Sequence, residues 1–311
     1  MSRRATVACL TGAGTAPELM AEAVLALTAL GRVHALEIAD VHVSFGATAV
    51  ARAGQSFPSA TRDAVLGADA VLVAGAEEPT LAEVMAELDL RARVTQVRFG
   101  RDHDVAIVAP LDEPSEEWSI EAAFQLAESR HLRLAVVGDG DWQELAAAAA
   151  ERHDHVHVEQ LSPKLAIPLA AFDAARFDVV LVAERWAEPL VEIVAAPASA
   201  RVAAHGLLAE HGPSLFMPSP DGGFALAGHG VVNPSSMLLA TALALEHGLR
   251  QPGAAATLAG AVSAALVDGP RTPDLLRFGL GASTRDFTSR VVAGFQLSLR
   301  NAEFLPSPGS A

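Results

Sequence analysis

The sequence predicts an α/β fold whose sheets are covered by helices, and three observations predict it. Short apolar, β-branched runs alternate with Ala/Leu/Glu-rich stretches along most of the chain. From Asn233 onward the pattern turns almost wholly helical. Hydrophobic residues make up 51% of the 311 positions, enough to fill a substantial core. Alternation of this kind puts strands side by side in a sheet and packs the intervening helices on its faces.

Taken in order, the first strand is VACL, followed by the turn GAGTAP at Gly12 to Pro17 and a Pro-Glu helix start. The later strands are DVHVSF, AVLVAG, VAIVAP, RLAVVG, VHVEQL and DVVLVA. Three helical stretches then follow, NPSSMLLATALALEHGL, AAATLAGAVSAALVDG and TRDFTSRVVAGFQLSLR. Asn233-Pro234 suits a helix start, because Asn caps free N–H groups and Pro fits the first turn. The tail LPSPGSA reads as a frayed end.

Charge and composition narrow the function classes. A net charge of −15 repels phosphate backbones and anionic membranes, so neither nucleic acid nor a membrane is an expected partner. Any acidic substrate then needs a local basic pocket. The one cysteine, Cys9, lies in an apolar strand, which excludes an intrachain disulfide and points to a buried core thiol. Neither a leader-type segment nor a membrane-length apolar run is read, so a cytoplasmic protein is expected. There is no tyrosine, and Lys164 is the sole lysine.

The stretch SPDGGFALAGHGVVNPSSMLLATALALEHG, Ser219 to Gly248, runs from a turn-rich loop through a Gly-His-Gly pivot and an Asn-Pro start into an apolar helix. It resembles the adenosine-binding loop and following helix of the isopropylmalate and isocitrate dehydrogenases, the β-decarboxylating dehydrogenase family. VACLTGAGTAPELMAEAVLAL, the segment from Phe45 to Gly75 and the segment from Phe177 to Pro197 fall in the same order as in that family. The resemblance implies an isopropylmalate dehydrogenase-like two-domain fold. Its discontinuous large domain would comprise residues 1–92 and 199–311, and its small dimerisation domain residues 93–198. It also implies a homodimer. The segments after Glu78 and from Leu111 to Trp118 are shorter than the family pattern, and the second normally forms an intersubunit arm carrying a catalytic tyrosine.

The same resemblance assigns chemistry position by position. The family oxidises a 2-hydroxy acid with NAD and then loses a carboxylate, using arginines, a metal held by aspartates and a lysine–tyrosine pair. The three arginine positions fall on Met85, Thr95 and Ala109, none of which can clamp a carboxylate. Arg91, Arg93 and Arg98 remain nearby, as a solvated basic patch or a relocated clamp. Asp139 stands at the catalytic lysine position. Lys164 adjoins Pro163, where the family places a metal aspartate from the neighbouring subunit. Two further metal aspartates fall on Glu188 and Glu192, whose i, i+4 spacing shares one helix face, and Glu184 adds a third acid nearby. Such a pair would hold Mg²⁺ weakly, with several waters.

The candidate catalytic residues are therefore Lys164, Glu188 and Asp139, and the candidate metal ligands Glu188 and Glu192. Gly228, Gly230 and Asn233 match the family's nucleotide loop. Pro220 and Ala225 stand where its adenine-stacking histidine and ribose-reading aspartate belong, so NAD binding in the family's manner is not expected. RHDHVHVE places His153, His155, His157 and Glu159 at period two, which reads as a polar strand face. His205, His211 and His229 read as isolated structural residues. Three functions stay open: redox-neutral chemistry on a small acid in a specialised biosynthetic pathway (lyase, isomerase or decarboxylase), a pseudoenzyme binding a ligand or partner, or an NAD-dependent dehydrogenase with relocated residues.

Overall fold

The structure is a computed structural model describing residues 4–75, 78–99, 103–196, 203–219, 223–276 and 280–303. The N-terminal part contributes β1 (Ala5–Thr11), α1 (Ala16–His34), β2 (Ile38–Val43), α2 (Gly46–Ala53), α3 (Ser59–Leu66), β3 (Ala70–Ala74) and α4 (Glu78–Met85). The middle follows with β4 (Leu90–Phe99), β5 (His103–Pro110), α5 (Glu116–Ser129), β6 (Arg133–Val137), α6 (Asp141–Ala150), β7 (His157–Leu161), α7 (Pro163–Asp173), β8 (Val179–Val182) and α8 (Glu184–Ala195). Then come β9 (Ala203–Ala209), β10 (Ser214–Pro218), α9 (Ser235–Leu243), continued by a π turn over Ala244–Gly248, α10 (Pro252–Asp268) and α11 (Thr284–Glu303). The tail read as frayed lies outside the described residues.

Among the described residues, ten strands make one sheet in the order β2-β1-β3-β10-β9-β4-β5-β8-β6-β7. The expected boundary after residue 92 falls inside β4, so hydrogen bonding is continuous across it. β2, β1, β3 and β10 run parallel to one another, as do β5, β8, β6 and β7. The antiparallel pairs of β9 with β10 and of β4 with β9 and β5 join the two sets. Following strand direction through these pairs, the loops after β1, β3 and β10 leave one end of the sheet. Those after β5, β6, β7 and β8 leave the other.

Burial follows the sequence pattern. β3, AVLVA, is buried at every position because helices cover both of its faces. One apolar core joins α1, α9, α10 and α11 to the sheet and continues through α5 to α8. A second lies on the α4 side, where Val84 and Leu88 meet Leu207 and Leu215. Cys9 is fully buried, and its thiol is pushed up to about 12 by burial and then by the Asp40 carboxylate. Gly12 has a packing reason: a Cβ there would collide with the Gly75 carbonyl oxygen, where the ends of β1 and β3 converge.

Candidate functional site

The four parallel strands β5, β8, β6 and β7 deliver their C-terminal ends to one edge, a common place for ligand sites in α/β sheets. The loop after β6 carries Asp139, the loop after β7 leads to Lys164 in the first turn of α7, and β8 leads to Glu184 at the start of α8. Asp139 is exposed, 4.0 Å from the Arg185 guanidinium of α8. Lys164, Glu188 and Glu192 are all exposed, and α7 packs on α8. Asp139, Lys164 and Glu184 thus leave the same end of the sheet, while Glu188 and Glu192 lie further along α8. Among the described residues, no third carboxylate or imidazole joins Glu188 and Glu192 closely enough to complete a three-ligand metal group. The one such group is Asp89, Glu210 and His211, and Arg91 already bridges its acids at 2.8 and 3.1 Å.

On the sheet face between α4 and α8, Arg93 and His205 stay partly exposed, and this face is the floor of the candidate cleft. Strand neighbours in register point to the same side, so Arg93 shares a face with Leu207 and Ala109, and Thr95 with His205 and Ile107. Leu207 belongs to the core under α4, while His103, on the same face of β5, lies against the Val194 backbone of α8. Met85 borders that same core. Thr95 and Ala109, two of the three positions where the resemblance places arginines, therefore share this face, and Met85 borders the core beside it, all without that charge.

What occupies the floor is different. Thr95 is 1% exposed, and its hydroxyl shares a 2.9 Å hydrogen bond with Nδ1 of His205. Burial, and then the Arg93 cation, push His205 down to about 4, so its imidazole is neutral near pH 7. Of the three arginines read as a basic patch or relocated clamp, Arg91 pairs with Asp89 and Glu210, and Arg98 with Asp104 at 3.4 Å. Arg93 makes no ion pair among the described residues. Reading His205 as an isolated structural residue missed this group, since Thr95 and Arg93 lie on another strand more than a hundred positions earlier. Two surface depressions, of about 480 Å³ beside Arg32 and Ile38 and about 290 Å³ beside Glu159 and Arg176, lie away from this face.

At the opposite end of the sheet, Gly228 and Gly230 adopt positive φ of 78° and 61° in the loop before α9. Both their N–H groups donate to the Glu18 carboxylate of α1, Gly230 at 2.9 Å. Asn233 is 7% exposed. Its Oδ1 accepts the Ser235 N–H at 2.9 Å, its Nδ2 donates to Thr272 Oγ1 at 3.1 Å, and its own N–H donates to Asp274 at 2.9 Å. Asn233 thus caps the helix as its Asn-Pro context implied. The amides that would face a nucleotide already hold a carboxylate, and Ala225 offers no acid for a ribose, so this arrangement does not fit NAD. Pro220 lies outside the described residues.

The alternating histidines need a correction. β7 begins only at His157, and residues 151–156 form turns, so no strand face carries all four side chains. His153 instead turns inward, 8% exposed, and stacks on Phe124 at 4.8 Å. Arg152–His153–Asp154 wraps onto α5 because the acids there, Glu121 and Glu128, attract it. His155 reaches Glu128 from outside at 3.0 Å, and Glu159 pairs with Arg176.

The ten-stranded α/β sheet flanked by helices is the fold of solved β-decarboxylating dehydrogenases. The apo crystal structure of such a dehydrogenase from Thermococcus kodakarensis superposes with a TM-score of 0.82 at 19% identity, covering 97% of this chain and 99% of that one. Isocitrate dehydrogenase from Methylococcus capsulatus gives 0.77 at 18% identity, over 94% and 99%. In sequence, the 3-isopropylmalate dehydrogenase of Synechococcus sp. strain CC9605 is 25% identical over 88% of this chain and 94% of that protein. That of Leifsonia xyli subsp. xyli is 25% identical over 79% and 87%. The isocitrate/isopropylmalate dehydrogenase family profile matches residues 197–291. Over residues 197–291 and through relatives of about 25% identity along most of its length, the chain is similar to the isocitrate/isopropylmalate dehydrogenase family, whose fold it shares.

Proposed function

We propose that this protein performs redox-neutral chemistry, as a lyase, isomerase or decarboxylase, on a small acid in a specialised biosynthetic pathway of the cytoplasm. One observation carries the reading: Thr95 and Ala109 share one sheet face and Met85 borders the core beside it, where the resemblance places arginines, while the Gly228 and Gly230 amides donate to Glu18. Binding of a malate-type substrate and of NAD in the family's manner both lose their main polar contacts. The exposed edge residues Lys164, Asp139 and Glu188 are the proposed acid/base or substrate-binding groups, and Glu188 with Glu192 a weak Mg²⁺ pair. Calorimetry with NAD and NADP tests the reading. Dissociation constants no tighter than about 1 mM, roughly −4 kcal/mol, are expected. Low-micromolar binding of either nucleotide would return the protein to the dehydrogenases.

Assembly is proposed to be homodimeric. The α7 helix leaves Leu165 50% and Phe172 92% exposed, and this apolar surface gains by burial against a second copy. Light scattering at micromolar concentration should give twice the 32.2 kDa chain mass, and a monomer there overturns the proposal. Among the described residues no helix is long and apolar enough to cross a membrane.

A further inference from the structure

We propose that Arg93, Thr95 and His205 form an oxyanion pocket on the cleft floor, in which Arg93 binds the acid group of the ligand and His205 Nε2 exchanges a proton with it. The proposal rests on the small-acid reading above and assigns it a site away from the Lys164 edge.

Four observations carry it. Arg93 is half-buried and has no counter-ion among the described residues, although its strand neighbours Arg91 and Arg98 are both paired and the chain has a net charge of −15. A half-buried guanidinium without a carboxylate in so acidic a protein is poised for an external anion. His205 lies opposite Thr95, and Arg93 lies opposite Leu207, so His205 and Arg93 are diagonal neighbours on one face. Such neighbours are roughly 7–8 Å apart at Cα, a span that a carboxylate or phosphate can bridge.

Thr95 holds Nδ1 and thereby fixes the ring. Nε2 has no hydrogen-bond partner among the described residues, nor is it among the fully enclosed polar atoms that lack one, so it opens toward the cleft. It accepts when Nδ1 carries the proton and donates when it does not. Finally, Ile107, Ala109 and Met217 surround the group with apolar side chains, which strengthens charge interactions there.

The elements around His205 bring few other charges. β9 and β10 contribute no other titratable side chain within their spans, and α9 on the opposite face has none. Around α4, Glu83 bonds Ser56 and Glu87 pairs with Arg62. On α8, Glu184, Arg185, Glu188 and Glu192 are exposed. Arg93 is therefore the charge that dominates His205. An oxyanion on Arg93 cancels its field, so the imidazole gains proton affinity when ligand binds and loses it on release. Binding between about pH 4 and pH 6 should then take up a proton.

The test is calorimetric titration of the full chain with succinate and, separately, inorganic phosphate, near pH 5.5 in two buffers of different ionisation enthalpy. Saturable binding with net proton uptake is expected, with succinate preferred for a carboxylate ligand and phosphate for a phosphorylated one. Arg93→Gln should weaken binding at least about tenfold, Arg93→Lys should recover part of it, and His205→Asn should weaken binding and abolish the proton uptake. Unchanged melting of each variant checks folding. No binding of either anion to the wild-type protein, or equal affinity in folded Arg93→Gln, overturns the pocket. Tight NAD binding alongside Arg93-dependent succinate binding would remove the redox-neutral reading and leave the pocket standing.

Discussion

Asp178→Ala is expected to lower folding stability by about 3–5 kcal/mol, because it strands a buried guanidinium. Asp178 is 6% exposed where the chain enters β8, and its Oδ1 accepts from Nε of Arg130 at 2.7 Å. Its Oδ2 accepts the His131 N–H at 3.1 Å. Arg130, 11% exposed, also donates to the Asp104 carbonyl at 2.8 Å and pairs with the Asp104 carboxylate at 3.3 Å. Burial works against the Arg130 charge, but Asp104 and Asp178 more than offset it, so its pKa is raised. Urea denaturation should show the full loss in Asp178→Ala. Replacing Arg130 and Asp178 together by apolar residues should cost less than the single change, since no charge is then left buried and unpaired. A loss under about 1 kcal/mol in the single variant would contradict this account. The network sits at the N-terminal ends of β6 and β8, opposite the candidate catalytic edge. Asp178→Ala should therefore act through folding and not through ligand binding.

His153→Ala should cost about 2–3 kcal/mol near pH 6 and progressively less in alkaline solution. Nδ1 and Nε2 face Glu128 and Glu121 at 2.6 and 3.0 Å, an arrangement that satisfies both nitrogens only when both donate, as in the imidazolium. Burial pushes its pKa down, and the bonds and charges of the two glutamates outweigh burial, so the pKa is raised. Glu121 shifts the other way: burial raises its pKa, but bonds to Arg152 and His153 leave it lowered. A folded-state pKa above the unfolded value of about 6.5 means that the stabilisation is complete below that pH. It is lost as pH rises through the folded value. Chemical denaturation of both proteins at pH 6 and pH 9 measures the difference, and a gap that widens with pH would refute the imidazolium assignment. His155 and His157 are exposed, and alanine at either should change stability little.

The strands that were legible in the sequence share a physical feature. AVLVA and VVLV are buried on both faces, and burial from two sides demands a continuous apolar run. β4, β9 and β10 were not read, and they are the strands that join the two halves of the sheet. Arg91, Gln96 and Arg98 break β4's apolar run while being held by Asp89, Glu210 and Asp104. In β9, Gly206 lies directly under Phe216, and HGLLAE has the composition of a helix. Partners far along the chain supply the compensation in each case, so local pattern is silent. The helix start at Asn233 was readable because its cap bond to Ser235 is local.

By itself the sequence determined the α/β class, the helical C-terminal part, the buried thiol of Cys9 and the absence of arginine at Met85, Thr95 and Ala109, since each depends on composition or on neighbours a few residues apart. Only the tertiary structure decided that His153 turns inward onto Phe124, that Glu18 takes the Gly228 and Gly230 amides, and that Arg93, Thr95 and His205 share one face. The physical reason is range. Hydrophobic period and capping act within a turn or a strand, whereas charge and hydrogen-bond satisfaction act between whichever groups the sheet order brings together. Here that order sets β9 beside β4.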